Sequence, residues 1–212
     1  MEKNNGKIVA VAALVVAVVA LSVGFAAFAA TLTIDSSATV KASNEFTENV
    51  NYVSGTPKCY YTGETSSTVP DAVAGTASGK TWTGVSVPLT AEHKSVTCEA
   101  EIQNASTYTA YLRQISISNV LSCASVGTGD DAATNVTTIC PTVSAKVDVS
   151  TDTATFTSTN STAVTSTSST IAGNNGSEKV YLTVSYSSTA AADGDISVTI
   201  PTISLLYKTN AS

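Results

Sequence analysis

The sequence predicts an all-β protein, an antiparallel two-sheet β-sandwich or jelly roll preceded by an N-terminal hydrophobic helix. Three observations carry this reading. Apolar and polar residues alternate with period two in several separate segments, which is the pattern of half-buried antiparallel strands. The chain holds 34 Thr and 29 Ser while only 12% of its residues are charged, and β-branched Thr suits the wet face of a pleated sheet. After Ala30 no stretch sustains a helical period.

The run from Ile8 to Ala30 (IVAVAALVVAVVALSVGFAAFAA) follows Lys3 and Lys7 and closes in small residues, as a secretory signal does. Its 23 residues also suffice to cross a bilayer as a helix. Cleavage is expected around Ala27, Ala29 and Ala30, since Ala27-Phe28-Ala29 fits the small-x-small pattern; a retained anchor is the alternative. Residues 1–30 are therefore signal or membrane anchor, and 31–212 a single β-sandwich domain.

The first strand is expected at Leu32, Ile34, Ala38 and Val40, directly behind the cleavage point. Asn44 to Val53 alternates weakly, and a short strand is expected around Cys59. Thr62 to Lys80, rich in Gly, Ser and Thr and lacking a period, reads as a surface loop. Thr81 to Leu89 reads as one strand with Val85, Val87 and Leu89 on a face. The cleanest alternation is Val96, Cys98, Ala100 and Ile102 against Thr97, Glu99, Glu101 and Gln103. Asn104-Ala105-Ser106 turns the chain into Tyr108 to Val120, whose two faces are both mixed. Gly127 to Asp131 is a loop, and Val143, Ala145, Val147 and Val149 mark another strand. Thr151 to Thr170 is Ser/Thr low-complexity sequence, read as edge strands or a loose excursion. Asn174-Asn175-Gly176 is a strong turn signal, followed by Val180, Leu182, Val184 and Tyr186. In Asp195 to Lys208 the apolar phase changes at Pro201, which predicts a bulge or a passage between sheets.

Composition narrows function further. The net charge is −6 and no basic run exists to neutralise phosphates, so nucleic acid is not an expected partner. Cys59, Cys98, Cys123 and Cys140 all follow the leader, and in an exported chain four cysteines read as two disulfides. Three connectivities exist; Cys123 with Cys140 and Cys59 with Cys98 is favoured, because the first pair closes a short polar excursion. His93 is the one histidine, in a polar turn, so no catalytic residues are assigned and no enzyme is expected. The absence of H-E-x-x-H argues against a zinc protease. Asp130-Asp131 and Asp193-Gly194-Asp195 read as turn chemistry and not as Ca²⁺ ligands; no metal or cofactor is expected. Tyr60, Tyr61, Trp82, Tyr108 and Tyr111 read as packing residues, with a sugar-stacking platform as the alternative. N-x-S/T triplets begin at Asn104, Asn135, Asn160, Asn175 and Asn210, and in a chain this rich in Ser and Thr they read as chance occurrences.

Val19 to Ile34 (VALSVGFAAFAATLTI) resembles the signal end of TasA/camelysin-type secreted fibre subunits. Glu101 to Leu112 and the closing Val180 to Tyr207 pair are similar in style. The resemblance implies a jelly-roll subunit of a biofilm matrix or filament, in which the segment behind the cleavage site fills a groove of the next subunit. The protease label of some members is not carried over without H-E-x-x-H, and the four cysteines depart from the family pattern.

The expectation is thus an exported structural protein of the cell surface or extracellular matrix, self-assembling through Leu32, Ile34, Ala38 and Val40. An extended peptide gains main-chain hydrogen bonds on an open sheet edge. The membrane is a partner during export, or permanently if the helix is retained. An adhesin or glycan-binding module for glycan or host surfaces is the alternative. A pilin-like subunit keeping its helix after cleavage near Gly6 is a further one, weakened by Val11 where type IV pilins usually carry Glu.

Overall fold

A computed structural model describes residues 14–15, 49–55, 57–64, 68–126, 132, 134–189 and 195–209. Two units divide the chain, Met1–Val40 and Lys41–Ser212. Of the first only Leu14 and Val15 are described, both helical. The expected leader helix, its cleavage residues Ala27, Ala29 and Ala30, and the strand at Leu32, Ile34, Ala38 and Val40 lie outside the described residues.

The second unit is built from antiparallel strands: β1 (Val50–Tyr52), β2 (Lys58–Tyr61), β3 (Thr76–Ser78), β4 (Thr81–Thr83), β5 (Val85–Leu89), β6 (Ser95–Asn104) and β7 (Ala110–Ile117) come first. They are followed by β8 (Ser122–Val126), β9 (Val143–Val149), β10 (Asp152–Thr157), β11 (Thr170–Ile171), β12 (Gly176–Tyr186), β13 (Asp195–Ile200) and β14 (Ile203–Lys208). Ladders order β1, β6, β12, β9 and β10 into one sheet, with β2 also on β6. A second sheet runs β11, β7, β14, β4, β3, and a third β5, β13, β8.

The second and third sheets are two halves of one bent layer. Ile203 pairs with Trp82 and Ile200 with Val85, so the ladder resumes in register across Pro201-Thr202 on one strand and Thr83-Gly84 on the other. Pro201 has no N–H to give, and Gly84 takes φ +71°, a conformation costly for other residues. The phase change expected at Pro201 is thus a passage from β13 in one sheet to β14 in the other. The stretch expected as one strand from Thr81 to Leu89 is broken at Gly84 for the same reason.

Between the layers lies the core. Val96, Ala100, Ile102, Val180, Leu182, Val184, Val147 and Phe156 face Trp82, Val87, Leu112, Ile115, Ile196, Ile203 and Leu205, all buried. This is the sandwich arrangement in which inward residues of two layers exclude water. At about 25 cal/mol per Å² of apolar surface, such burial is the main favourable contribution to folding.

One local expectation is corrected and two open stretches are resolved. Thr62 to Lys80 is not simply a loop: it holds β3, paired with β4, and buries Val69 and Ala77. In Tyr108 to Val120 the mixed faces reflect a bulge. Leu206 pairs with Gln114 and Tyr207 with Leu112, leaving Arg113 as the extra residue. That bulge turns Ala110 and Leu112 inward before it and Ile115 and Ile117 inward after it. Finally, β8 and two short helical turns, Asn135–Ile139 and Cys140–Thr142, occupy sequence where no element was expected.

Candidate functional site

On the outer face of the six-stranded sheet the strict alternation of β6 sends Glu99 out between β2 and β12. Lys58 of β2 pairs directly with Glu99, and Tyr181 of β12 lies opposite it on the other side. The Lys58 ammonium donates to Glu99 Oε1 at 2.9 Å and the Lys179 ammonium to the same oxygen at 3.4 Å. Tyr60 Oη donates to Oε2 at 3.1 Å. Burial alone would raise the Glu99 carboxyl, but the hydrogen bonds from Lys58 and Tyr60 and the charge of Lys179 hold it below its ordinary value. Tyr60 is pushed up to about 12, by burial first and then by the Glu99 charge. With Ala100 and Glu101, the ions line a shallow depression of about 290 Å³.

Both lysine side chains are more than half exposed, and such pairs contribute about 0–1 kcal/mol each. The cluster therefore fixes how β2, β6 and β12 align more than it stabilises them. A carboxylate held ionised between two cations is a poor general base, and this is the chemistry of a register clip. Beside it the hydroxyls of Thr62, Thr97 and Thr183 link at 3.0 and 3.1 Å across the same strands.

Two buried polar groups tie the connections to the sheets. Asn104 is wholly buried and uses all of its amide. Its Nδ2 donates to the carbonyls of Tyr108 (2.7 Å) and Ile171 (3.1 Å), and its Oδ1 accepts from Ser106 N (3.1 Å) and Oγ (2.6 Å). Gly173 completes this knot, because a Cβ there would stand 2.6 Å from the Thr107 carbonyl. At the start of β10, Asp152 accepts from the amides of Ser168 (2.8 Å) and Ser169 (2.6 Å). Burial would raise its carboxyl, and these hydrogen bonds lower it below the usual carboxylate range. It pins the excursion between β10 and β11 to the β9–β10 hairpin, and Ser169 Oγ adds a bond to the Val149 carbonyl.

The structure joins Cys59 to Cys98 and Cys123 to Cys140. Cys59 and Cys98 are direct ladder partners between β2 and β6, while the second bridge ties edge strand β8 to the short turn at Cys140. His93 stacks on Tyr61 with ring centroids 3.7 Å apart. Trp82 is fully buried, and its indole N–H donates to the Ala74 carbonyl at 2.7 Å, so it faces no surface ligand. Tyr108 is exposed and Tyr111 half-buried. Asp130, Asp131 and Asp193 lie outside the described residues. Among the described residues, no three His, Cys, Asp or Glu side chains gather as a metal would need. Asn104, Asp152 and Glu99 were not singled out as site residues by sequence; for Asn104 the signal was its Asn-x-Ser spacing at the end of the most regular strand.

Fold and site together define a disulfide-clipped, β-rich, sandwich-like protein. No protein-family model matches the chain, and no curated protein matches it either.

Proposed function

We propose that this chain is an exported structural protein of the cell surface or extracellular matrix, a fibre subunit of the jelly-roll kind. The observation that carries the reading is the pair of disulfides, Cys59–Cys98 and Cys123–Cys140, in a β-rich body behind an apolar leader. Disulfides persist in oxidising compartments outside the cytosol. Assembly runs through residues 31–41, laid as an added strand on a neighbour's sheet edge. β10 suits that role because it ends the six-stranded sheet with β9 as its ladder partner. Its outward residues Thr153 and Thr155 carry no charge to repel a new strand.

The test is to find the mature N-terminus by mass spectrometry and to image purified mature protein by electron microscopy. Filaments from the protein beginning near Ala30 or Thr31, lost on deleting residues 31–41, are the expected result. Unchanged filaments after that deletion refute strand donation, and a reduced cytosolic protein refutes export.

A further inference from the structure

We infer that Asn160 is an acceptor for an N-linked glycan, and that the fold withholds the other described N-x-S/T triplets. In Asn104-Ala105-Ser106 the asparagine is wholly buried with both amide hydrogens engaged, and Ser106 is buried too. Asn135 is also wholly buried, its Nδ2 donating to Ser125 Oγ at 3.2 Å. Asn175 is exposed, but its triplet runs straight into β12. There Gly176 and Ser177 are paired with Asn104 and Gln103, so an enzyme would have to strip the strand from its ladder to reach it. Asn210 lies outside the described residues.

Asn160-Ser161-Thr162 differs on each count. It stands between β10 and β11, outside any strand, with Asn160 and Thr162 exposed. The Asn160 amide oxygen accepts from the Thr162 N–H at 2.9 Å, which occupies the oxygen within the triplet of an exposed residue. The triplet is held through the Asn160 backbone and not through its side-chain nitrogen: the Thr157 hydroxyl accepts from Asn160 N at 3.0 Å, Thr157 N donates to the Asn160 carbonyl at 2.9 Å, and farther along the Ser168 amide is taken by Asp152.

The donor class is a lipid-linked oligosaccharide pyrophosphate. Nδ2 bonds to the anomeric carbon, the bond from that carbon to the pyrophosphate oxygen breaks, the lipid pyrophosphate leaves with the electron pair, and the amide releases one proton. This rests on the export reading, since such transfer takes place outside the cytosol.

The experiment separates the two. Full-length chain, folded and with both disulfides intact, is incubated with an N-x-S/T-specific oligosaccharyltransferase and a lipid-linked oligosaccharide, then read by intact mass and peptide mapping. The expected result is a mass gain of one glycan, mapped to the peptide containing Asn160 and lost in Asn160→Asp and Thr162→Val. Asn160→Asp retains an oxygen for the Thr162 amide while removing the nitrogen, so its urea midpoint should match the parent. A glycan at Asn175, sugar on a Ser or Thr hydroxyl, or transfer to the reduced, unfolded chain but not to the folded one overturns the proposal. Retention in the cytosol of the source cell would sink export and leave the in vitro result standing.

Discussion

Removing the bridge between β2 and β6 should cost more than removing the one at β8, although both lie in the same sandwich. Cys59 and Cys98 are 39 residues apart and Cys123 and Cys140 are 17. Loop-closure entropy then assigns about 4 kcal/mol to the first bridge and about 3 kcal/mol to the second. The substitutions should be Cys59→Ala with Cys98→Ala, and Cys123→Ala with Cys140→Ala. Alanine is preferable to serine because Cys98 is fully buried and a hydroxyl there would lack a partner. Trp82, the single tryptophan and wholly enclosed, reports unfolding as a red shift of its emission during urea titration. With a slope of about 2 kcal/mol per molar urea, the midpoint should fall by roughly 2 M for the first pair and 1.5 M for the second. The ladder from Lys58 to Tyr61 on β6 survives either change. A larger fall for the Cys123–Cys140 pair would refute the entropic account and place the stabilisation in local strain or packing.

Asn104→Ala strips partners from the Ile171 carbonyl and the Ser106 amide, while the Tyr108 carbonyl keeps the Ser106 hydroxyl as donor. At about 1–3 kcal/mol for each buried group left unpaired, a loss of at least about 2 kcal/mol is expected in the same urea assay. Asp152 and Glu99 both have lowered native values. Their contribution is therefore complete above the unfolded carboxylate range near about pH 4 and is lost as pH falls through the depressed native values. Urea midpoints measured against pH should drop below about pH 4, and Asp152→Asn should flatten that drop. Ending the chain before Gly176 removes β12, β13 and β14; the Trp82 emission should then be red-shifted without urea, with no cooperative transition.

Strands were legible wherever one face is buried and the other wet, as in β6, β9 and β12, because period two is then written directly in side-chain polarity. Legibility fails where that premise fails. β8 alternates only between exposed and half-buried positions, so its register comes from β13 and the Cys123–Cys140 bridge, partners remote in sequence. β3 buries the single small side chain of Ala77, too little to mark a strand within a Gly- and Thr-rich stretch. The β7 bulge at Arg113 reads as two ambiguous faces because one extra residue exchanges in for out halfway along. For the site, the sequence shows which groups are polar but not which become buried: Asn104 looks like any turn asparagine until Ile171, 67 positions later, is brought against it.

The topology constrains when this fold can close. Consecutive stretches alternate between layers: β1 and β2 in the first, β3 to β5 in the bent second, β6 back in the first, β7 and β8 in the second, β9 and β10 in the first, β11 in the second. The last three strands described then enter the middle of both layers. β12 lies between β6 and β9, β14 between β7 and β4, and β13 between β5 and β8. Until they arrive, neither layer has its central strand, and Val180, Leu182, Val184, Ile196, Ile203 and Leu205 are missing from the core. Contacts this remote in sequence carry loop-closure costs before they return any stabilisation. A chain ended before β12 therefore lacks the middle strand of each sheet and, with it, the residues that join the two layers.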